Sequence, residues 1–344
     1  MTVGLTEAQP APVPVYEALL ELRGLVVDYG SGPQRCCAVD GVDIVINPGE
    51  IVGLAGESGC GKTTVANAAM QILRPPARLV AGSVRFQGED LVGKSTEELR
   101  KFRWRNVSMV FQSAMNALNP VMRVGDQFVD MMRAHERISK RDALASAADL
   151  LELVGIDRQR VRAYAHELSG GMRQRVIIAM ALALEPELVI LDEPTTALDV
   201  VVQREILQQV QELQRERGFA VLFITHDLSL LLEVADRIAI MYAGEVVERA
   251  PAATLRAGGL HPYTQGLLRS FPPLTGPKTR LTGIPGAPPD LVDPPAGCRF
   301  HPRCSHCKPE DRQLYLRQTT ERPRLREVAP GHAVACHLVE RGTA

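Results

Sequence analysis

Between Glu21 and Glu248 the chain alternates short apolar runs with longer stretches of helical period. Ile51–Ala55, Val107–Phe111, Leu188–Leu191 and Val221–Thr225 read as strands. The segments between them are long enough for crossover helices, which predicts an α/β domain built on a largely parallel sheet. From about 113 to 168 no strong strand signal occurs. Val124–His135 and Lys140–Val154 instead repeat as helices, so a helical subdomain is expected there, with Gly155 as a stop. Past residue 250 proline becomes dense, with PPLTGPKTRLTGIPGAPPDLVDPPAG running from Pro272 to Gly297. Proline lacks the N–H that sheet and helix interiors need, so a small, irregular C-terminal extension is predicted over 251–344. Residues 1–20, rich in Pro and Ala, read as a flexible tail, leaving 21–250 as the main domain. No repeat of 20 to 50 residues is apparent.

Composition narrows the classes open to such a fold. The 344 residues carry 39 basic and 40 acidic side chains, for a net charge of -1. Non-specific affinity for nucleic acid comes from summed positive charge, so no nucleic-acid partner is expected. One of the longest apolar runs, Val176–Leu184, ends after nine residues at Glu185, far short of a membrane span. The N-terminus lacks a basic segment followed by an apolar one, so no secretion signal and a cytoplasmic location are expected. Seven cysteines are unevenly spread, and Cys298, Cys304, Cys307 and Cys336 gather near the end. In a reducing compartment that grouping reads as ligands rather than disulfides.

The chemistry concentrates in two places. GESGCGKTT, from Gly56 to Thr64, fits G-x-x-x-x-G-K-[ST] and lies between the apolar run IVGLA and a helical pattern. In such a loop the backbone amides of Gly56, Glu57, Ser58, Gly59, Cys60, Gly61 and Thr64 curl around phosphate oxygens at a helix N-terminus. Lys62 then reaches the β- and γ-phosphates of ATP, and Thr63 ligates Mg²⁺. The bland competitor is a glycine-rich turn that matches by chance. In LVILDEP, a strand delivers Asp192 and Glu193 to its C-terminal end, where open α/β sheets bind ligands. Asp192 suits a Mg²⁺ ligand and Glu193 a base for the attacking water. Alone, the pair reads equally well as carboxylates capping a helix.

Between these motifs stands LSGGMRQR, Leu168–Arg175, which resembles the signature loop of ATP-binding-cassette (ABC) proteins. The resemblance extends to Tyr29 in VVDYG, Gln112 in MVFQS, Asp199 in TALD and His226 in ITHD. It implies a P-loop ABC ATPase core with an inserted helical subdomain. It also implies roles: Tyr29 stacks on adenine, Gln112 reaches Mg²⁺ or the lytic water, Asp199 contacts a second ATPase, and His226 bonds the γ-phosphate. Ser169, Gly170 and Gly171 serve the nucleotide held by the opposing subunit. Each has an ordinary alternative: a packed Tyr, a surface Gln, a core or capping His. In the family, ATP closes two such domains and hydrolysis reopens them, driving membrane subunits between two states.

Outside the ATPase motifs, HPYTQGLL from His261, IPG from Ile284 and CRFHPRC from Cys298 are similar to the C-terminal extension of dipeptide and oligopeptide importer ATPases. That branch implies a related but non-identical second ATPase subunit, so a heterodimer, and two transmembrane permease subunits. It also implies an extracytoplasmic substrate-binding protein and a peripheral place on the cytoplasmic side of the cell membrane. A permease contact is expected near Gln112–His135. Oligosaccharide, nickel and glutathione are alternative cargoes for the same architecture. A soluble ABC ATPase of DNA repair or translation and a P-loop kinase are rivals. The first lacks its usual coiled-coil insert here, and the second does not carry the signature loop. Members of the importer branch hold a [4Fe–4S] cluster at a comparable cysteine set. Cys298, Cys304, Cys307 and Cys336 are therefore expected to hold such a cluster or Zn²⁺, although Cys304 and Cys307 stand closer than that pattern has them.

Overall fold

A computed structural model describes residues 18–112, 117–195, 198–270 and 283–341. The expected tail and the stretches 113–116 and 271–282 lie wholly or almost wholly outside these ranges. Strands run in chain order as β1 (Leu20–Tyr29), β2 (Cys36–Ile46), β3 (Ile51–Ala55), β4 (Ala77–Phe86), β5 (Glu89–Asp90) and β6 (Val107–Val110). They continue as β7 (Leu188–Asp192), β8 (Ala220–Thr225), β9 (Arg237–Tyr242), β10 (Glu245–Pro251), β11 (Arg326–Ala329) and β12 (His332–Val334). The helices are α1 (Lys62–Ala69), α2 (Thr96–Phe102), α3 (Val124–His135), α4 (Lys140–Leu153), α5 (Gly170–Leu182) and α6 (Val200–Arg217). After them come α7 (Leu228–Val234), α8 (Ala252–Ala257), α9 (Pro262–Ser270), α10 (Arg312–Thr320) and α11 (His337–Arg341).

One sheet has the order β11-β12-β10-β9-β3-β8-β7-β6, and β9, β3, β8, β7 and β6 pair in parallel. Strands β3, β7 and β8 are buried at every residue, as a parallel sheet covered on both faces requires. Successive side chains serve opposite layers. Val189 and Leu191 join the core beneath α3 to α6, while Leu188 and Ile190 join the core shared with α1 and the second sheet. That second sheet, β2-β1-β4-β5, is antiparallel. Its strands alternate only in part, so the apolar pattern did not announce it. The helices α3 and α4 sit within a residue of their expected positions, and the cap of α4 is Ser139, which accepts from the Asp142 N–H.

The C-terminal extension departs from the expected irregular appendage. Strand β12 pairs antiparallel with β10, Glu248 opposite Val334 and Arg249 opposite Ala333, so the last described strands extend the main sheet. Buried beneath that junction, Glu248 accepts from His332 Nε2 at 2.8 Å and from the amides of Leu260 and His261. An aromatic group of Tyr242, Tyr263 and Phe300 seals the joint, with ring centroids 4.6 to 5.5 Å apart.

Candidate active site

Four neighbouring strands, β3, β8, β7 and β6, end at the same edge of the sheet, where α/β proteins bind ligands. From β3 the chain enters the loop 56–61 and then α1. Gly56, at φ +156°, and Gly61, at φ +104°, tolerate no side chain, because a Cβ would lie 2.2 Å from the carbonyl oxygens of Met241 and Ala38 respectively. The loop curls over Lys62, whose buried ammonium donates to the carbonyls of Gly56 (2.8 Å) and Glu57 (3.0 Å).

A cleft of about 330 Å³ opens on this loop, lined by Tyr29, Ser58, Gly59, Gly61, Lys62, Thr63, Thr64, Gln112 and Glu193. Nine residues expected to handle nucleotide thus share one wall, with Cys36, Ala38 and Leu291 completing it. Tyr29 Oη and Thr64 Oγ1 lie 3.2 Å apart. Cys60 is buried below the loop, and burial raises its thiol pKa.

Asp192 ends β7 at 1% exposure, with neither carboxylate oxygen accepting a hydrogen bond. Burial raises its pKa. Thr63 draws it down without reaching hydrogen-bond geometry, the Glu193 charge adds to the rise and Lys62 opposes it. A buried carboxylate facing a hydroxyl and unsatisfied on both oxygens is the chemistry a hard divalent cation completes, so Thr63 and Asp192 fit Mg²⁺.

The next residue turns sharply. Glu193 adopts φ +46°, an uncommon region for a side-chain-bearing residue, and its N–H donates to Ile224 O on the neighbouring strand. The turn swings its carboxylate between two partners. Gln112 Nε2 donates to Oε2 at 3.0 Å, and His226 Nδ1 lies 3.5 Å from Oε1. The three candidate catalytic residues therefore meet, His226 from the exposed side at 51% exposure. Sequence reading missed the strained turn at Glu193, because positive φ is not encoded by any glycine there.

Other expected residues stand apart. Ser169 caps α5 by accepting from Met172 N–H, with Gly170 and Gly171 opening the helix away from the cleft lining. Asp199 caps α6, its carboxylate accepting from the amides of Val201 and Val202. Glu57 differs from expectation. Its N–H donates to Tyr263 Oη at 2.9 Å and its carboxylate binds Arg303, so both groups serve the extension instead of lining the cleft.

The late cysteines are free thiols. Burial pushes Cys298 up to about 12 and Cys336 up to about 11, with smaller contributions from neighbouring thiolates, and burial also raises Cys304 and Cys307. Cys307 folds back so that its N–H donates to Cys304 O at 3.0 Å. Among the described residues no three His, Cys, Asp or Glu side chains are grouped to hold a metal ion. The expected closed four-thiolate site is thus not assembled in this arrangement.

Among the described residues no helix is long and apolar enough to cross a membrane. The ABC transporter family profile matches residues 39–196, and the oligopeptide/dipeptide transporter C-terminal region matches residues 247–310. The oligopeptide transport ATP-binding protein OppD of Bacillus subtilis is 44% identical over 292 residues, covering 84% of this chain and 82% of that protein. OppD of Mycobacterium tuberculosis is 45% identical over 327 residues, 94% of this chain but 52% of that protein. Among solved structures, a dimeric ATP-binding cassette in a post-hydrolysis state with ADP and Pi superposes with a TM-score of 0.61. It is 27% identical and covers 68% of this chain and 98% of that one. With the phosphate loop, the buried Mg²⁺-type carboxylate and the Gln112–Glu193–His226 constellation at one sheet edge, the chain belongs to the ABC ATPases, in the oligopeptide/dipeptide transporter branch of ATP-binding subunits.

Proposed function

We propose that this chain powers a peptide importer by hydrolysing ATP between two ATPase subunits. The observation that carries the reading is Glu193, held at positive φ between Gln112 and His226 beside the phosphate loop. Lys62 neutralises charge on the β- and γ-phosphates, and the loop amides orient them. Glu193 accepts a proton from the attacking water at a carboxylate oxygen, while Gln112 and His226 fix that carboxylate's direction. Thr63 and Asp192, with Gln112, would hold Mg²⁺, which would supply charge neutralisation of the phosphates. Tyr29 offers its ring to the base. Ser169 and Gly170, exposed at the start of α5, and the half-buried Gly171 suit the nucleotide of a facing subunit, and Asp199 suits a contact with that subunit.

Cargo and partners follow the relatives. Peptide is the proposed cargo, because the matched C-terminal region and the oligopeptide transport relatives share it. A non-identical second ATPase, two permease subunits and an extracytoplasmic binding protein complete the proposed complex, which places the chain on the cytoplasmic side of the membrane. Phe111 and Val121, both exposed, suit the permease contact. On donor chemistry alone, Cys298, Cys304, Cys307 and Cys336 are proposed to hold a [4Fe–4S] cluster or Zn²⁺, and no step of turnover is assigned to it.

Glu193→Gln tests the mechanism. The variant should bind ATP as the unaltered chain does and lose turnover by roughly 10² to 10⁴-fold. Turnover at the unaltered rate would remove Glu193 from the base role.

A further inference from the structure

The phosphate loop contains an acid, Glu57, one residue after its first glycine. A carboxylate so close to a triphosphate opposes binding unless its charge is cancelled. The extension does so from 246 residues away. Arg303 Nη1 donates to Glu57 Oε2 at 2.6 Å and Nη2 to Oε1 at 3.0 Å, a two-pronged pair of the kind only arginine makes. The guanidinium is itself immobilised. Its Nε donates to Pro285 O at 2.7 Å, Nη2 reaches Gly286 O at 3.4 Å, Nη1 reaches Tyr242 Oη at 3.4 Å, and its carbon sits 5.7 Å over the Tyr242 ring. The Arg303 side chain is 5% exposed against 25% for Glu57, so the arginine is the fixed half of the pair. Tyr263, also from the extension, takes the Glu57 N–H. A further extension residue, Leu291, reaches the wall of the cleft itself.

We infer that Arg303 is a positioning residue of the ATP site, cancelling the charge of Glu57 and fixing the loop's first turn, so that the C-terminal extension is a working part of nucleotide binding. The inference rests on reading the loop as the ATP site. Because Arg303 acts by neutralising one acid, its loss should be curable by removing that acid, which a purely structural anchor would not allow.

The test measures Mg·ATP affinity of the full chain by calorimetric titration, with Glu193→Gln throughout to stop turnover. Arg303→Met is expected to weaken affinity about tenfold, the scale of losing one charge-assisted contact near a charged ligand. Glu57→Gln alone should stay within about twofold of the parent, and the double variant should return to that range. If Arg303→Met binds within about twofold of the parent, or the double variant stays as weak as Arg303→Met, the inference falls. Should Arg303→Met not fold, Arg303→Gln also removes the charge and is expected to weaken binding about tenfold, an unchanged affinity again overturning the inference. Lys62→Ala is run beside these. If it binds Mg·ATP like the parent, the ATP-site reading beneath the inference fails, a result distinct from a clamp that does not matter.

Discussion

Replacing Asp192 by Asn should make the protein more stable and less able to gain from its substrate. The carboxylate is buried with both oxygens unsatisfied. An unsatisfied buried polar group costs about 1–3 kcal/mol, more when charged. The Asn amide keeps the shape but carries no charge to desolvate and feels no repulsion from Glu193, while the attractions of Thr63 and Lys62 for the carboxylate are lost. The balance is about 1 kcal/mol in favour of Asn. At about 2.1 cal/mol/K per residue over 344 residues, that corresponds to a rise in Tm of roughly 1.4 °C. Mg·ATP at about 100 times Kd should raise the Tm of the parent by about 4 °C, from roughly 2.7 kcal/mol of binding linkage. The Asn variant, missing a Mg²⁺ ligand, should gain far less. Thermal scans with and without Mg·ATP, in chains also carrying Glu193→Gln, should therefore show the two curves exchanging order. An Asn variant that melts below the parent without nucleotide, or that gains the same increment with it, would refute the reasoning.

Acid should weaken the extension through His261. Fully buried, with Nδ1 accepting the Tyr263 N–H at 3.0 Å, it must stay neutral, and burial lowers its pKa from 6.5 to about 3. The unfolded chain binds a proton below 6.5 and the folded one does not until about 3. Stability from this group is thus complete above 6.5 and lost as pH falls between those values. Urea unfolding at about pH 7.5 and 5.5 should show the parent losing about 1.4 kcal/mol more over that interval than His261→Asn, which keeps an acceptor; equal losses would exclude His261 as the cause. The cysteine proposal predicts brown protein after anaerobic purification, with iron and sulfide in near-equal amounts; zinc alone would select the other tetrathiolate site, and neither metal would exclude both.

The ATP-handling residues were legible because each motif is contiguous and sits where a strand ends. A run such as IVGLA followed by GESGCGKTT carries its strand, loop and helix within some twenty residues. Side chains brought together by the sheet order were legible only through resemblance, since nothing local tells that Gln112, Glu193 and His226 share an edge. Two features escaped altogether. Arg303 lies inside CRFHPRC, where only the cysteines carry a recognisable chemistry, and its partner lies 246 residues upstream. The pairing of β12 with β10 was hidden because three-residue strands have no usable period, and the prolines before them spoke for loop. A buried-looking charge beside an apolar residue, as in Arg303 near Phe300, is the signal that would have flagged the first.

The seam between β10 and β12 also orders events during synthesis. His332 follows Glu248 by 84 residues, which a ribosome adds in roughly 4–17 s at about 5–20 residues per second. Throughout that interval β10 presents an open edge, and the Glu248 carboxylate waits for its imidazole. A nascent chain halted before His332 would keep both exposed, an unpaired strand of the kind chaperones and proteases engage. Pairing of β12 with β10 thus closes that edge only after the whole stretch between them has been made.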